Sequence, residues 1–133
     1  MQPIEISHVI PPVYERLNLR FGADWEKGVI IAYNGKIHQK SKVVQPQKVI
    51  HEKVHLDEQK RIGNDAWWEL YLTDDAFRLE QETMAYKTEA NFIKKHIKQR
   101  EHRFQMIREL AHAFSSSLYG GIITPEQALK LLM

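Results

Sequence analysis

Apolar residues recur every fourth position at Val13, Leu17 and Phe21, between Pro11-Pro12 and Gly22. That spacing, with prolines before it and a glycine after it, predicts a short amphipathic helix. The period changes at Gly28-Val29-Ile30-Ile31-Ala32-Tyr33, a β-branched run that meets Asn34-Gly35 and resumes as Lys36-Ile37-His38. Asn-Gly between two such runs is the strongest local signal for a β-hairpin. Lys42-Val43-Val44-Gln45 is a candidate further strand. Pro46 then suits the start of a helix that Gly63 stops. Asn64 or Asp65 is placed to cap a helix bearing Trp67, Trp68 and Tyr71, aromatic residues expected to pack beneath the preceding helix. Thr73-Asp74-Asp75 caps the next, which holds no Gly or Pro and is expected to run unbroken to about Arg103. Phe104, Ile107, Ala111, Phe114 and Leu118 continue at helical spacing, and Ser115-Ser116-Ser117 and Gly120-Gly121 interrupt it. Thr124-Pro125-Glu126-Gln127 starts a last helix with a capping box, and Leu129 and Leu132 dock it. The order predicts an α+β fold: a helix, a small antiparallel sheet, then a mostly helical remainder, in one domain over residues 1–133.

Composition sets limits on this picture. A chain of 133 residues, 43% hydrophobic and 27% charged, is long enough to bury a core without cross-links. It has no cysteine, which excludes disulfide and thiol chemistry. No apolar run approaches membrane-spanning length. The segment Met1 to Ile6 lacks the basic and apolar regions of a signal peptide, so a cytoplasmic location is expected. The net charge of +2 is nearly balanced. One basic cluster, Lys94 to Arg103, reads as a solvated helix face, and no nucleic-acid-binding motif accompanies it.

The chemistry concentrates in His51-Glu52-Lys53-Val54-His55, an H-E-x-x-H run. Residues advance about 100° each along a helix, so side chains four apart share a face. Both imidazoles can therefore close on one metal ion, while Glu52 is turned to act on a water there. A catalytic zinc normally takes three protein ligands and keeps an open position. Glu82 is the candidate third ligand. Small Ala85 lets its helix approach closely, and Tyr86 is expected beside the carboxylate. Glu80 competes, but points about 200° away from Glu82 around the helix. The absence of thiolates suits a catalytic rather than a structural zinc site. Asp57 or Glu58 is placed to orient a ligating imidazole. His8, His38, His96 and His102 read as surface residues.

The Glu82-x-x-Ala85-Tyr86 pattern, following His51-Glu52-x-x-His55, resembles the third-ligand motif of the glutamate zincins. The hairpin, the tryptophan pair and the Tyr119-Gly120-Gly121 tail also resemble short metallopeptidase-like proteins of tailed bacteriophages. This resemblance implies a minimal zincin fold in which His51, His55 and Glu82 hold Zn²⁺ and the substrate is a polypeptide. It implies peptide-bond hydrolysis with Glu52 as general base and Tyr86 among the catalytic residues. His112 and Tyr119 are further candidates for an oxyanion donor. It also implies that Val29 to Tyr33 forms an edge strand able to pair with an extended substrate. Two other classes stand beside it: a catalytically silent zincin-fold module, such as a virion component, and a nucleic-acid-binding protein using residues 94–103.

Overall fold

The computed structural model describes residues 3–133. Helix α1 (Tyr14–Phe21) buries Leu17 and Phe21, as the four-residue spacing predicts, and Gly22 ends it at φ 74°, a left-handed conformation that favours glycine. Strands β2 (Ile31–Tyr33) and β3 (Lys36–His38) form the expected hairpin over Asn34-Gly35, with Asn34 at φ 47° and Gly35 at φ 84°. Those two positive angles are what an Asn-Gly hairpin turn requires.

The sheet is mixed rather than antiparallel. Strand β1 (Glu5–Ser7) pairs parallel with β3, giving the order β1-β3-β2. Lys42 to Gln45 forms no strand. With β3 bonded on both sides, that segment has no ladder position beside it.

Helix α2 (Pro46–Ile62) begins on its proline and carries the H-E-x-x-H run. Gly63 follows at φ 106°, which lets α3 (Asn64–Thr73) start at once in a new direction. Asn64 does not cap α3. Its Oδ1 accepts from the Asn34 backbone N–H at 2.8 Å and latches the hairpin turn to the α2–α3 corner. Asp74 caps α4 (Asp75–His96) by accepting from the Phe77 N–H at 3.1 Å.

The helix bearing Glu82 does not reach Arg103. It ends at His96, Ile97 turns extended, and α5 (Arg100–Phe114) starts afresh with Gln99 as cap. The Arg103 guanidinium donates to the Ile97 and Lys98 carbonyls, satisfying groups that the break exposes. The absence of Gly and Pro removed the usual break signals, but capping chemistry from Gln99 provides one. The break folds α5 back so that α6 (Pro125–Leu132) can pack on it. The Thr124–Gln127 capping box is present as expected.

Three apolar clusters result. One joins α1 and α3 through Leu17, Phe21, Trp67 and Tyr71. A second joins α4, α5 and α6 through Tyr86, Ile93, Phe114 and Leu132. The third lies between the sheet and α2, around Ala32, Ile37 and Leu56. Helix α2 runs between these clusters against α4, and the buried side chains of that interface are largely polar. No described helix is long and apolar enough to cross a membrane.

Candidate metal centre

A buried cluster of titratable side chains lies where α2 packs on α4. His51, Glu52 and His55 are buried on α2, and Glu82 is buried on α4. The i, i+4 spacing brings the two imidazole rings to 5.1 Å between centroids. Glu82 faces both. Its Oε1 lies 3.2 Å from His51 Nε2 and 3.2 Å from His55 Nε2. His51, Glu52 and His55 also offer ligand atoms within 4.8 Å of one another. Of the two carboxylates, Glu82 is the closer: Glu52 Oε2 is 3.7 Å from His51 Nε2. Glu80 is exposed on the far side of α4, as the helical angle predicts.

The supporting groups differ from those the sequence suggests. The hydroxyl against Glu82 belongs to Tyr71 of α3, which donates to Oε2 at 2.6 Å. Tyr86 packs its ring edge-on to His51 at 4.5 Å, but its hydroxyl is bonded to that of Tyr119 at 2.7 Å. The carboxylate beside the outer nitrogen of His51 is Glu89, with Oε1 3.0 Å from Nδ1. Asp57 and Glu58 do not serve there. Asp57 is exposed and pairs with Lys53, and Glu58 pairs with Arg61 and accepts from Gln81. His55 Nδ1 is buried with no hydrogen-bond partner among the described residues. His8, His96, His102 and His112 are exposed, whereas His38 is buried with Nδ1 2.8 Å from the Val9 carbonyl.

Electrostatics follow from this crowding. Burial would lower the His51 pKa, but the Glu52 charge and the contacts with Glu82 and Glu89 outweigh it and raise it to about 10. Burial would raise Glu82, yet the two imidazoles hold it well below the ordinary carboxylate range. Burial dominates at Glu52 and pushes its pKa up against the pull of His51 and His55. Burial and the Glu82 charge also push the Tyr71 phenol far up, so it stays a hydrogen-bond donor at any ordinary pH.

A cavity of about 50 Å³ reaches this cluster. His51, Glu52, His55 and Glu82 form its polar wall, and Val29 to Ala32, Trp68, Leu118 and Tyr119 contribute much of the rest. Tyr86 and His112 do not line it. Arg78, itself buried, holds one side by donating to the Tyr71 carbonyl at 2.6 Å and the Tyr119 carbonyl at 2.8 Å.

Strand β2 is at the sheet edge, but it spans only Ile31–Tyr33 of the expected Val29 to Tyr33, and that edge is partly covered. In a two-residue hairpin the backbone groups of Ala32 point away from β3. Gln59 Nε2 of α2 donates to the Ala32 carbonyl at 2.8 Å, and Asn64 takes the Asn34 N–H. Residues Val29 to Ile31, which line the cavity, lie beyond these two bonds.

No family model, curated protein or solved structure matches this chain. Its functional reading therefore rests on the cluster itself.

Proposed function

We propose that this chain is a zinc-dependent peptidase of minimal zincin type. The observation that carries the reading is the convergence of His51, His55 and Glu82 with Glu52 alongside. The donor set fits the ion. Ligand atoms about 2.0–2.2 Å from a tetrahedral zinc lie roughly 3.3 Å from one another. Glu82 Oε1 is 3.2 Å from each imidazole Nε2. Two imidazoles and one carboxylate are also a known catalytic zinc set.

Bound there, zinc supplies Lewis-acid polarisation and makes water acidic near neutral pH. The rest is done by the chain. His51 and His55 present Nε2, and Glu82 presents Oε1. Tyr71 holds the other oxygen of Glu82 and keeps that carboxylate from rotating. Glu52 is the base: it accepts the proton of the attacking water and returns it to the leaving nitrogen. Burial raises its pKa, the direction that makes a carboxylate a stronger base. Tyr119 lines the cavity and is the better placed of the candidate oxyanion donors.

A catalytically silent module is the second reading, and one observation favours it: about 50 Å³ admits water but no peptide. Metal analysis of the purified chain and cleavage of a fluorescently labelled unfolded protein, with and without chelator, separate the two. A peptidase binds about one zinc per chain and loses cleavage with chelator. Glu52→Gln keeps the zinc and loses cleavage by at least about 100-fold, the lower end of what a general base contributes. Zinc without cleavage supports the silent module. A chain that binds no divalent metal ends both versions.

A further inference from the structure

The two imidazoles are treated unequally by the protein around them. His55 Nδ1 has no hydrogen-bond partner among the described residues. His51 is bracketed by two acids of α4, with Nε2 3.2 Å from Glu82 and Nδ1 3.0 Å from Glu89. Glu82 and Glu89 are seven residues apart, two helical turns, so they share the face of α4 that meets α2. The His51 ring spans the gap between them.

Glu89 is an unusual residue to find there. It is 0% exposed. A lone carboxylate so deep is costly unless it is paired. Its second oxygen, Oε2, accepts no hydrogen bond among the described residues but has Lys48 Nζ at 3.0 Å as an ion contact. Lys48 sits three residues before His51, on the same face of α2, and is partly exposed. Glu89 is thus neutralised from the protein's outer side and bonded to the ring on its inner side.

We propose that Glu89 is a positioning residue for His51: it holds the proton on Nδ1 and so commits the Nε2 lone pair to the metal, with Lys48 as its counter-ion. This rests on the metal reading above for its purpose, but its geometry is independent of any ion. A carboxylate acceptor on the outer nitrogen fixes both the tautomer and the plane of a ligating imidazole. The pattern is Lys48-x-x-His51-Glu52-x-x-His55 with Glu82 and Glu89 seven apart.

The test uses the full chain as wild type, Glu89→Gln and Lys48→Met. Zinc affinity is measured by competition with a chromophoric chelator. Histidine ring protons are followed by ¹H–¹⁵N NMR with and without zinc. In the wild type, the His51 Nδ1 proton is expected to be protected from exchange in both states. Glu89→Gln keeps the size and one acceptor oxygen but not the charge, and is expected to weaken zinc binding about 10–100-fold with unchanged helical circular dichroism. Lys48→Met, at a partly exposed position, is expected to shift affinity in the same direction by less.

Zinc affinity of Glu89→Gln within twofold of wild type overturns the proposal. So does a His51 Nδ1 proton that exchanges as fast as those of exposed His96 and His102, a wild-type measurement that stands even where a variant fails to fold. A wild-type chain that binds no zinc, yet protects this proton and loses it in Glu89→Gln, sinks the metal reading and leaves the role of Glu89 standing.

Discussion

Tyr71→Phe is the sharpest probe of the cluster, because it removes one atom and leaves the packing. The Tyr71 ring stacks on Trp67 at 4.9 Å and meets Phe21 edge-on at 6.4 Å, and a phenylalanine keeps both contacts. What is lost is the 2.6 Å bond to Glu82 Oε2, a length typical of a hydroxyl donating to an ionised carboxylate. Hydrogen bonds to charged groups contribute about 1.5–3 kcal/mol. Both partners are buried, so water does not replace the donor. The zinc-free chain is expected to lose about 1.5–3 kcal/mol in urea denaturation. For a domain of this size that corresponds to a fall in Tm of roughly 5–12 °C. Tyr86→Phe is the internal control. Among the described residues its hydroxyl bonds only the neutral Tyr119 hydroxyl, and its loss is expected to cost about 0.5–1.5 kcal/mol. Equal costs for the two variants, or a cost below about 0.5 kcal/mol for Tyr71→Phe, would refute the view that Glu82 is an ionised hub held by Tyr71.

Other outcomes follow from the same geometry. Glu82→Ala leaves two imidazoles and is expected to weaken zinc binding by more than about 100-fold, beyond the range for supporting residues, as read by chelator competition. The zinc-free chain is expected to lose stability as pH rises. The His51 pKa is raised from 6.5 to about 10 on folding, so its contribution is complete below 6.5 and gone once pH passes about 10. Urea midpoints from pH 6 to 10 measure this, and saturating zinc, which displaces that proton, is expected to flatten the decline. Gly120→Ala is expected to cost roughly 1–2 kcal/mol in the same assay. Gly120 sits at φ +86°, and an added Cβ would lie 3.0 Å from Arg78 Nη2 and 3.2 Å from the Phe21 ring.

Much of the fold was legible where a local rule has a physical cause. The Asn34-Gly35 turn, the capped starts at Asp74 and Thr124 and the glycine stops at Gly22 and Gly63 are all backbone chemistry written in single residues. The i, i+4 histidines follow from the helical angle, which also puts Glu80 and Glu82 on opposite faces, and small Ala85 beside Glu82 marks which face turns inward. What escaped is non-local. Strand β1 is three residues near the N-terminus that become a strand only because β3 offers an edge some 30 residues later. The break at Ile97 is set by the Gln99 cap and by Arg103 reaching back, with no glycine or proline to announce it. Tyr71 has the sequence setting of a packing residue, and only the crossing of α3 on α4 turns its hydroxyl to Glu82. Glu89 left one usable sign, a carboxylate two turns beyond Glu82 on an unbroken helix. Nothing in the sequence says that such a face is buried.

A buried group of this kind is poor value for stability alone. Replacing buried ion pairs with apolar side chains of similar size is often neutral or stabilising, so the charges call for another reason. The charge count supplies one. Glu52, Glu82 and Glu89 are three carboxylates within contact of His51, and among the described residues Lys48 is the one lysine or arginine that pairs with any of them. Counted by formal charge, with both imidazoles neutral, the cluster carries two negative charges. Protonated histidine offsets part of that in the zinc-free chain, and these nearby carboxylates are what raise the His51 pKa. A divalent cation would offset all of it while taking the two Nε2 positions the protons occupied. The same arrangement that strains an ion-free fold is therefore matched in sign and magnitude to a 2+ ion. A monovalent ion would leave charge unbalanced, and a purely structural role would have no need for Glu52.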